Sequence, residues 1–179
     1  SSCGWSSLFA LDKQNGIVTT TGPIDRESLS SSVITLTLSG TDSQGSNVLE
    51  VIDVTVEDIN DNSPTFSAPD YTLIVSENLG PQVFDLLSWS DDDEGENGKL
   101  KKAQILDISD QSWPFIPEIK TSGAFQQVVL KITKSLDREK VDHYEFTVEI
   151  EDNGYPALTG TLSVIIDVQD INDNAPSFK

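Results

Sequence analysis

Apolar and polar residues alternate over short stretches along most of this chain, and each stretch ends at a turn signal. Residues 32–39 read Ser-Val-Ile-Thr-Leu-Thr-Leu-Ser, with alternation over Ile34-Thr35-Leu36-Thr37-Leu38. A period of two places successive side chains on opposite faces of an extended backbone, so this pattern predicts a strand. Residues 49–56 alternate too, with Leu49, Val51 and Asp53 on one face and Ile52, Val54 and Val56 on the other. Residues 71–75, 128–132, 144–150 and 161–168 follow the same rule. Between them stand Gln14-Asn15-Gly16, Gly22-Pro23, Asn78-Leu79-Gly80-Pro81, Asn97-Gly98 and Asn153-Gly154-Tyr155-Pro156, all residues that favour turns. No segment sustains a 3.6-residue apolar period over helical length. Short strands at this spacing predict an all-β chain of sandwich type.

The alternation repeats over a longer distance. Asp-Ile-Asn-Asp-Asn occurs at residues 58–62 and again at 170–174, an offset of 170 − 58 = 112. Each copy leads into a small residue, a proline and soon a phenylalanine: Ser63-Pro64-Thr65-Phe66 and Ala175-Pro176-Ser177-Phe178. Asp-Arg-Glu recurs at residues 25–27 and 137–139, again 112 apart. Two motifs sharing one period indicate a duplicated structural unit. A chain of 179 residues has room for two such units.

Composition narrows the chemistry. The net charge is −19, and the repeated motifs are rich in hard oxygen donors, the ligand chemistry of calcium. Such a charge is either a solvated surface or a source of self-repulsion that bound cations relieve. With no basic patch, neither nucleic acid nor an anionic membrane surface is an expected partner. Cys3 is the single cysteine, so no disulfide forms within the chain, and His143 is the single histidine. The two are far apart, no Ser/His or Cys/His set exists, and the chain is not expected to be an enzyme. His143 precedes the strand at 144–150 and is expected to be exposed. Trp5, Trp89 and Trp113 are read as core or edge aromatics. No stretch is long and apolar enough to span a bilayer.

Together these motifs resemble cadherin ectodomain repeats, of the protocadherin-like or large cadherin-related kind, over nearly the whole chain. Asp-Ile-Asn-Asp-Asn is similar to the family's inter-repeat linker. Leu136-Asp137-Arg138-Glu139 matches its Leu-Asp-Arg-Glu motif, and Ile24-Asp25-Arg26-Glu27 is a close variant. Residues 90–98, Ser-Asp-Asp-Asp-Glu-Gly-Glu-Asn-Gly, resemble its Asp-X-Asp loop. Glu77 resembles the glutamate that ends its first strand. Residues 151–156 resemble its Asp-X-Gly-X-Pro loop, with Ile150 where alanine is usual. The resemblance implies tandem Greek-key, immunoglobulin-like β-sandwiches with three calcium ions in the linker between repeats. The implied ligands are Asp25 and Glu27 from the first repeat. Asp58, the Ile59 carbonyl, Asn60, Asp61 and the Asn62 carbonyl follow from the linker, then Asp91, Asp93, the Asn97 carbonyl and Asp152 from the second repeat. Glu77, Asp137, Glu139, Asp170 and Asp173 form the implied half-site at the C-terminal linker. Arg138 is expected to pair with local carboxylates, and Asp92, the middle of Asp-X-Asp, to face solvent.

Residues 1–62 are read as the later part of one repeat with its linker, 63–174 as a complete repeat with linker, and 175–179 as the start of another. Subtracting 112 from Glu77 and Asp91 gives −35 and −21, both before Ser1. The first repeat is therefore expected to show only its last four strands, with an upstream segment or another chain completing it. Asp42, the counterpart of Asp152, would then serve a linker further upstream. The implied role is a calcium-dependent, extracellular adhesion segment of a single-pass membrane protein. Its partners would be other cadherin ectodomains, homophilic or heterophilic. The alternative is a receptor or mechanical-link rod that signals or bears tension without homophilic adhesion.

Overall fold

A computed structural model describes residues 7–106, 108 and 113–176. Cys3, Trp5, Ser177 and Phe178 lie outside the described residues, as do the last three positions of the expected third segment at 175–179. The chain divides into two compact units, Ser1–Asp58 and Ile59–Lys179. Among the described residues both are built from strands and turns, and no helix is long and apolar enough to cross a membrane.

Among its described residues the first unit has four strands in two antiparallel pairs. Strands β1 (Phe9–Leu11) and β2 (Val18–Thr20) flank the predicted turn. There Asp12 Oδ1 accepts the Gln14 N–H at 2.8 Å, and Gly16 takes φ 75°, a conformation that favours glycine. Strands β3 (Val33–Thr41) and β4 (Asn47–Thr55) pair from Val33↔Thr55 to Thr41↔Asn47. Ile34 is buried, but Leu49 and Val51 are 66% and 58% exposed. The alternation over residues 49–56 gives two faces, yet of β4 only Val54 is partly covered. Alternation sorts side chains between faces, but a face is buried only where a second layer lies on it.

The second unit has that second layer. Its strands are β5 (Thr65–Phe66), β6 (Asp70–Ser76), β7 (Gln82–Asp85), β8 (Trp89–Ser90), β9 (Leu100–Ile105), β10 (Phe115–Ser122), β11 (Phe125–Ile132), β12 (His143–Asp152) and β13 (Thr159–Gln169). One sheet runs β6-β13-β12-β9, another β10-β11-β7, and β5 pairs with β8. The even-numbered residues of β12 and β13 face inward: Phe146, Val148 and Ile150 beside Leu162, Val164, Ile166 and Val168. They meet Val128, Leu130 and Ile132 of β11 and Phe115 of β10 in one core. Each fully buried aliphatic side chain stabilises the fold by about 1.5–3 kcal/mol. Trp113 meets Phe115 and Tyr144 edge-on at 5.7 and 5.6 Å, and Trp89 donates its Nε1–H to the Gln126 carbonyl at 3.2 Å. Both tryptophans are thus the core-edge aromatics expected.

Strand direction decides where chemistry can sit. β12 is antiparallel to β13, whereas β6 is parallel to it, from Ser163↔Asp70 to Gln169↔Ser76. The last residues of β6 and of β12 therefore lie at opposite ends of this sheet.

Candidate metal centre

At one end of the second unit the inward face of β12 continues past its apolar residues to a carboxylate. Asp152 is the next in-phase position after Phe146, Val148 and Ile150, so the strand period that buries them also buries it, to 0% exposure. Its oxygens are held by backbone and side-chain donors. Oδ1 accepts the Gly154 N–H at 2.9 Å, and Oδ2 accepts the Leu158 N–H and the Asn60 Nδ2–H, each at 3.1 Å. A second carboxylate comes from the Asp-rich loop after β8. Asp91 Oδ1 accepts the Asp93 N–H at 3.1 Å, a local turn that directs Asp93 inward, to 6% exposure, and leaves Asp92 in solvent. Asp93 in turn accepts the Asn62 N–H at 3.2 Å and the Asn62 Nδ2–H at 2.8 Å. Asn60 and Asn62 thereby tie residues 59–62 to the two buried carboxylates.

The charge here is incompletely answered. Asp91 Oδ2 and Asn60 Oδ1 are buried oxygens with no hydrogen-bond donor. Burial pushes the Asp91 carboxyl above the usual aspartate range, and the negative charges of Asp93, Asp152 and Asp92 add to the shift. Asp61 is exposed; its N–H bonds the Ile59 carbonyl at 3.0 Å and its Oδ1 accepts the Asn62 Nδ2–H at 3.0 Å. Asn97 donates its N–H to the Glu94 carbonyl at 3.2 Å within the Asp91 loop.

At the opposite end the same logic places Glu77. Leu73 and Val75 of β6 face inward, and Glu77 follows in phase at 0% exposure. Its Oε1 accepts the Ile171 N–H and its Oε2 the Arg138 N–H, both at 2.8 Å. Those two donors hold the Glu77 carboxyl below the usual glutamate range. Buried Leu136 anchors the segment that follows, and its carbonyl accepts the Asn78 N–H at 3.0 Å. Carboxylate oxygens of Glu77, Asp137 and Glu139 then lie within 4.8 Å of one another. Cations are also present: Lys140 Nζ is 2.7 Å from Asp137 Oδ2, and Arg138 Nη1 is 3.7 Å from Asp170 Oδ1, the pairing expected of Arg138. Asp173 accepts hydrogen bonds from the Asn78 and Asn174 side-chain amides.

In the first unit Asp25 Oδ1 accepts the Glu27 N–H at 3.1 Å and the Ser28 N–H at 3.4 Å. Arg26 between them is buried, with Nη1 3.4 Å from the Leu29 carbonyl. Asp58 is the last residue of that unit.

Two inward carboxylates at opposite ends of one sandwich, each among further acids, can be set beside known proteins. The model of the cadherin domain matches residues 71–169, from the second residue of β6 to the last of β13. The chain belongs to the cadherin family. Protocadherin Fat 2 of Rattus norvegicus is 39% identical over 174 residues, covering 96% of this chain and 4% of that protein. Human Protocadherin-16 is 36% identical over 173 residues, covering 97% of the chain and 5% of that protein. Among solved structures, protocadherin gamma C5 EC1-3 superposes with a TM-score of 0.81 at 30% identity, covering 98% of this chain and 56% of that one. The chain thus spans about one-twentieth of the length of the curated relatives it matches.

Within the second unit, the cadherin motifs bring Asn60, Asn62, Asp91, Asp93 and Asp152 to one end and Glu77, Asp137 and Glu139 to the other. Several participants were not foreseen from the sequence. They are the Pro156 carbonyl that accepts the Asn60 amide, Gly154 beside it, Asn78, and the Arg138 and Ile171 amides on Glu77. The phase of alternation marks Glu77 and Asp152 as inward-facing. Their donors depend on loops that no periodicity describes.

Proposed function

We propose that this chain is a calcium-binding extracellular segment of a cadherin-like adhesion protein, in which calcium rigidifies the junction between consecutive repeats. The observation that carries the reading is the pair of fully buried carboxylates, Asp152 and Glu77, at opposite ends of one sandwich and each beside further acids. Calcium takes six to eight oxygen ligands from carboxylates, carbonyls and amides. The residues present fit: all donors are oxygens, and buried Asn60 Oδ1 and Asp91 Oδ2 have no hydrogen-bond donor that a cation would displace. Asp25, Glu27, Asp58, the Ile59 carbonyl, Asn60, Asp61, the Asn62 carbonyl, Asp91, Asp93, the Asn97 carbonyl and Asp152 would hold the ions of one linker. Glu77, Asp137, Glu139, Asp170 and Asp173 would begin the next site. Bound calcium supplies positive charge that ties together carboxylates otherwise repelling one another.

The parent is read as a membrane-anchored cell-surface protein whose partners are other cadherin ectodomains. The short span of this chain within its relatives favours a second reading, a module in a long rod that bears tension or signals without self-association. Sedimentation of the 179-residue chain across a calcium titration separates the two. Calcium binding with self-association supports adhesion through this segment. Binding without it supports the rod, and no binding removes both.

A further inference from the structure

We propose that Gly154 is a positioning residue for the Asn60 amide: the space a side chain at 154 would fill is what lets Asn60 lie against Asp152 and Pro156 with its oxygen aimed away from both. The proposal rests on the calcium reading of this end and extends it to how one ligand is pre-oriented. A Cβ built on Gly154 would stand 2.0 Å from both Cγ and Oδ1 of Asn60 and 2.5 Å from its Nδ2. The glycine is not required by its own backbone, which lies outside the left-handed region where glycine is favoured. What it supplies is room. Gly160, nearby in sequence, differs: a Cβ there would meet the backbone carbonyl of Pro64 at 1.8 Å, so substitution would move the main chain. At Gly154 the three nearest obstructing atoms all belong to the end of the Asn60 side chain, so the displacement falls first on Asn60.

The orientation of Asn60 follows from its hydrogen bonds. Both amide protons are committed, one to Asp152 Oδ2 at 3.1 Å and one to the Pro156 carbonyl at 2.6 Å. Rotating the amide by half a turn would set Oδ1 against two acceptors, so the network fixes which atom is the oxygen. Oδ1 is then left buried, without a donor, as a fixed acceptor. An aspartate at position 60 would add charge but lose both bridges and face the Asp152 carboxylate directly. The third residue of Asp-Ile-Asn-Asp-Asn is therefore an amide because its NH₂ is a strut, and counting carboxylates would mispredict the effect of changing it.

The test is a calcium titration of the full 179-residue chain as wild type, Gly154→Ala, Asn60→Ala, the double variant and Asn60→Asp. It is paired with NMR of the Asn60 side-chain amide in chelator. Loss of a group that orients a metal ligand weakens affinity roughly 10- to 100-fold. Gly154→Ala is expected to lose calcium affinity in that range, as much as Asn60→Ala, and the double variant to lose no more than either. Asn60→Asp, which leaves position 154 untouched, is expected to bind more weakly than wild type. In chelator the Asn60 NH₂ is expected to be protected from exchange in wild type and unprotected in Gly154→Ala. Additive losses in the double variant, tighter binding by Asn60→Asp, or an amide equally protected in both proteins would overturn the proposal. A wild type that binds no calcium would remove Asn60 as a ligand together with the reading beneath it. The amide protection, measured without calcium, would still decide whether Gly154 positions Asn60.

Discussion

Asp152 and Glu77 reach the interior in the same way, as the next in-phase position after an alternating apolar run, but the two ends of the second unit answer their charge differently. Around Glu77 both oxygens take backbone N–H donors, and Lys140 and Arg138 stand on the neighbouring aspartates. At the Asp152 end the charges that press on Asp91 are those of other acids, Asp93, Asp152 and Asp92. Asp91 carries a buried oxygen without a donor and is pushed toward protonation, while Asp93 accepts hydrogen bonds from the neutral amides of Asn62. Burying a carboxylate is tolerable where donors or cations compensate, and costly where they do not. The Glu77 end is therefore the better compensated of the two, and on the proposed calcium reading the Asp152 end would gain more from a bound cation.

The harshest way to break this comparison is Asp152→Ala. It strands three donors, the Gly154 and Leu158 N–H groups and the Asn60 amide. Stranded buried donors cost about 1–3 kcal/mol each, reduced here by loop relaxation, so we expect a loss of about 2–4 kcal/mol in chelator. Chemical denaturation measures it, and a loss under about 1 kcal/mol would show that the loop is not built on this carboxylate. A finer contrast lies within the Asp-rich loop. Asp93→Ala is expected to weaken calcium binding at least tenfold, whereas Asp92→Ala, whose carboxylate faces solvent, should leave affinity within about twofold. Equal losses would mean the loop register is wrong.

Acid titration in chelator sharpens the contrast between the two ends. The folded-state value of Glu77 is lowered by the Ile171 and Arg138 N–H groups. Its contribution to stability is complete above the unfolded value and is lost as pH falls through the folded one. The folded-state value of Asp91 is raised by burial and by its acidic neighbours. Its stabilising balance holds below the unfolded value and is lost as pH rises through the folded one. Carboxyl NMR should show Asp91 titrating above the ordinary aspartate range and Glu77 below the ordinary glutamate range, and calcium should abolish the Asp91 shift. The smallest effect is expected for Lys140→Ala, which removes an exposed ion pair and should barely move the melting temperature while slightly raising calcium affinity at the Glu77 end.

How much of this was readable beforehand depends on which physical rule governed each element. The hairpins β3–β4 and β12–β13 were both visible, because alternation over residues 32–39 and 144–150 states which faces diverge. Burial was visible in neither, since it belongs to the opposing sheet; Val148 and Leu162 have one and Leu49 does not. Asp42 and Asp152 show the same divergence in the site. Each accepts the N–H two residues on, but Asp42 does so at an exposed turn and Asp152 inside the fold. Strands β9 and β10 lack a clear alternation for local reasons. Lys101-Lys102 interrupts the alternation of β9, and Pro117 sits within β10, where an edge strand paired only with β11 accommodates it. The Asp-X-Asp loop was legible as a motif because an Asx turn fixes which carboxylate enters. The amide bridges of Asn60 and the donors on Glu77 join residues 61 to 96 positions apart, and no local pattern records them.

The most direct test of the central claim is the melting temperature and small-angle scattering profile of this chain in about 1 mM calcium and in chelator. Extracellular calcium modules bind with dissociation constants of about 10⁻⁴–10⁻³ M. A site near 10⁻⁴ M then contributes about 1.4 kcal/mol, and several coupled sites raise the melting temperature by many degrees. The account predicts that rise, together with a narrower distribution of interatomic distances in calcium. A melting curve and scattering profile identical in calcium and chelator would contradict it.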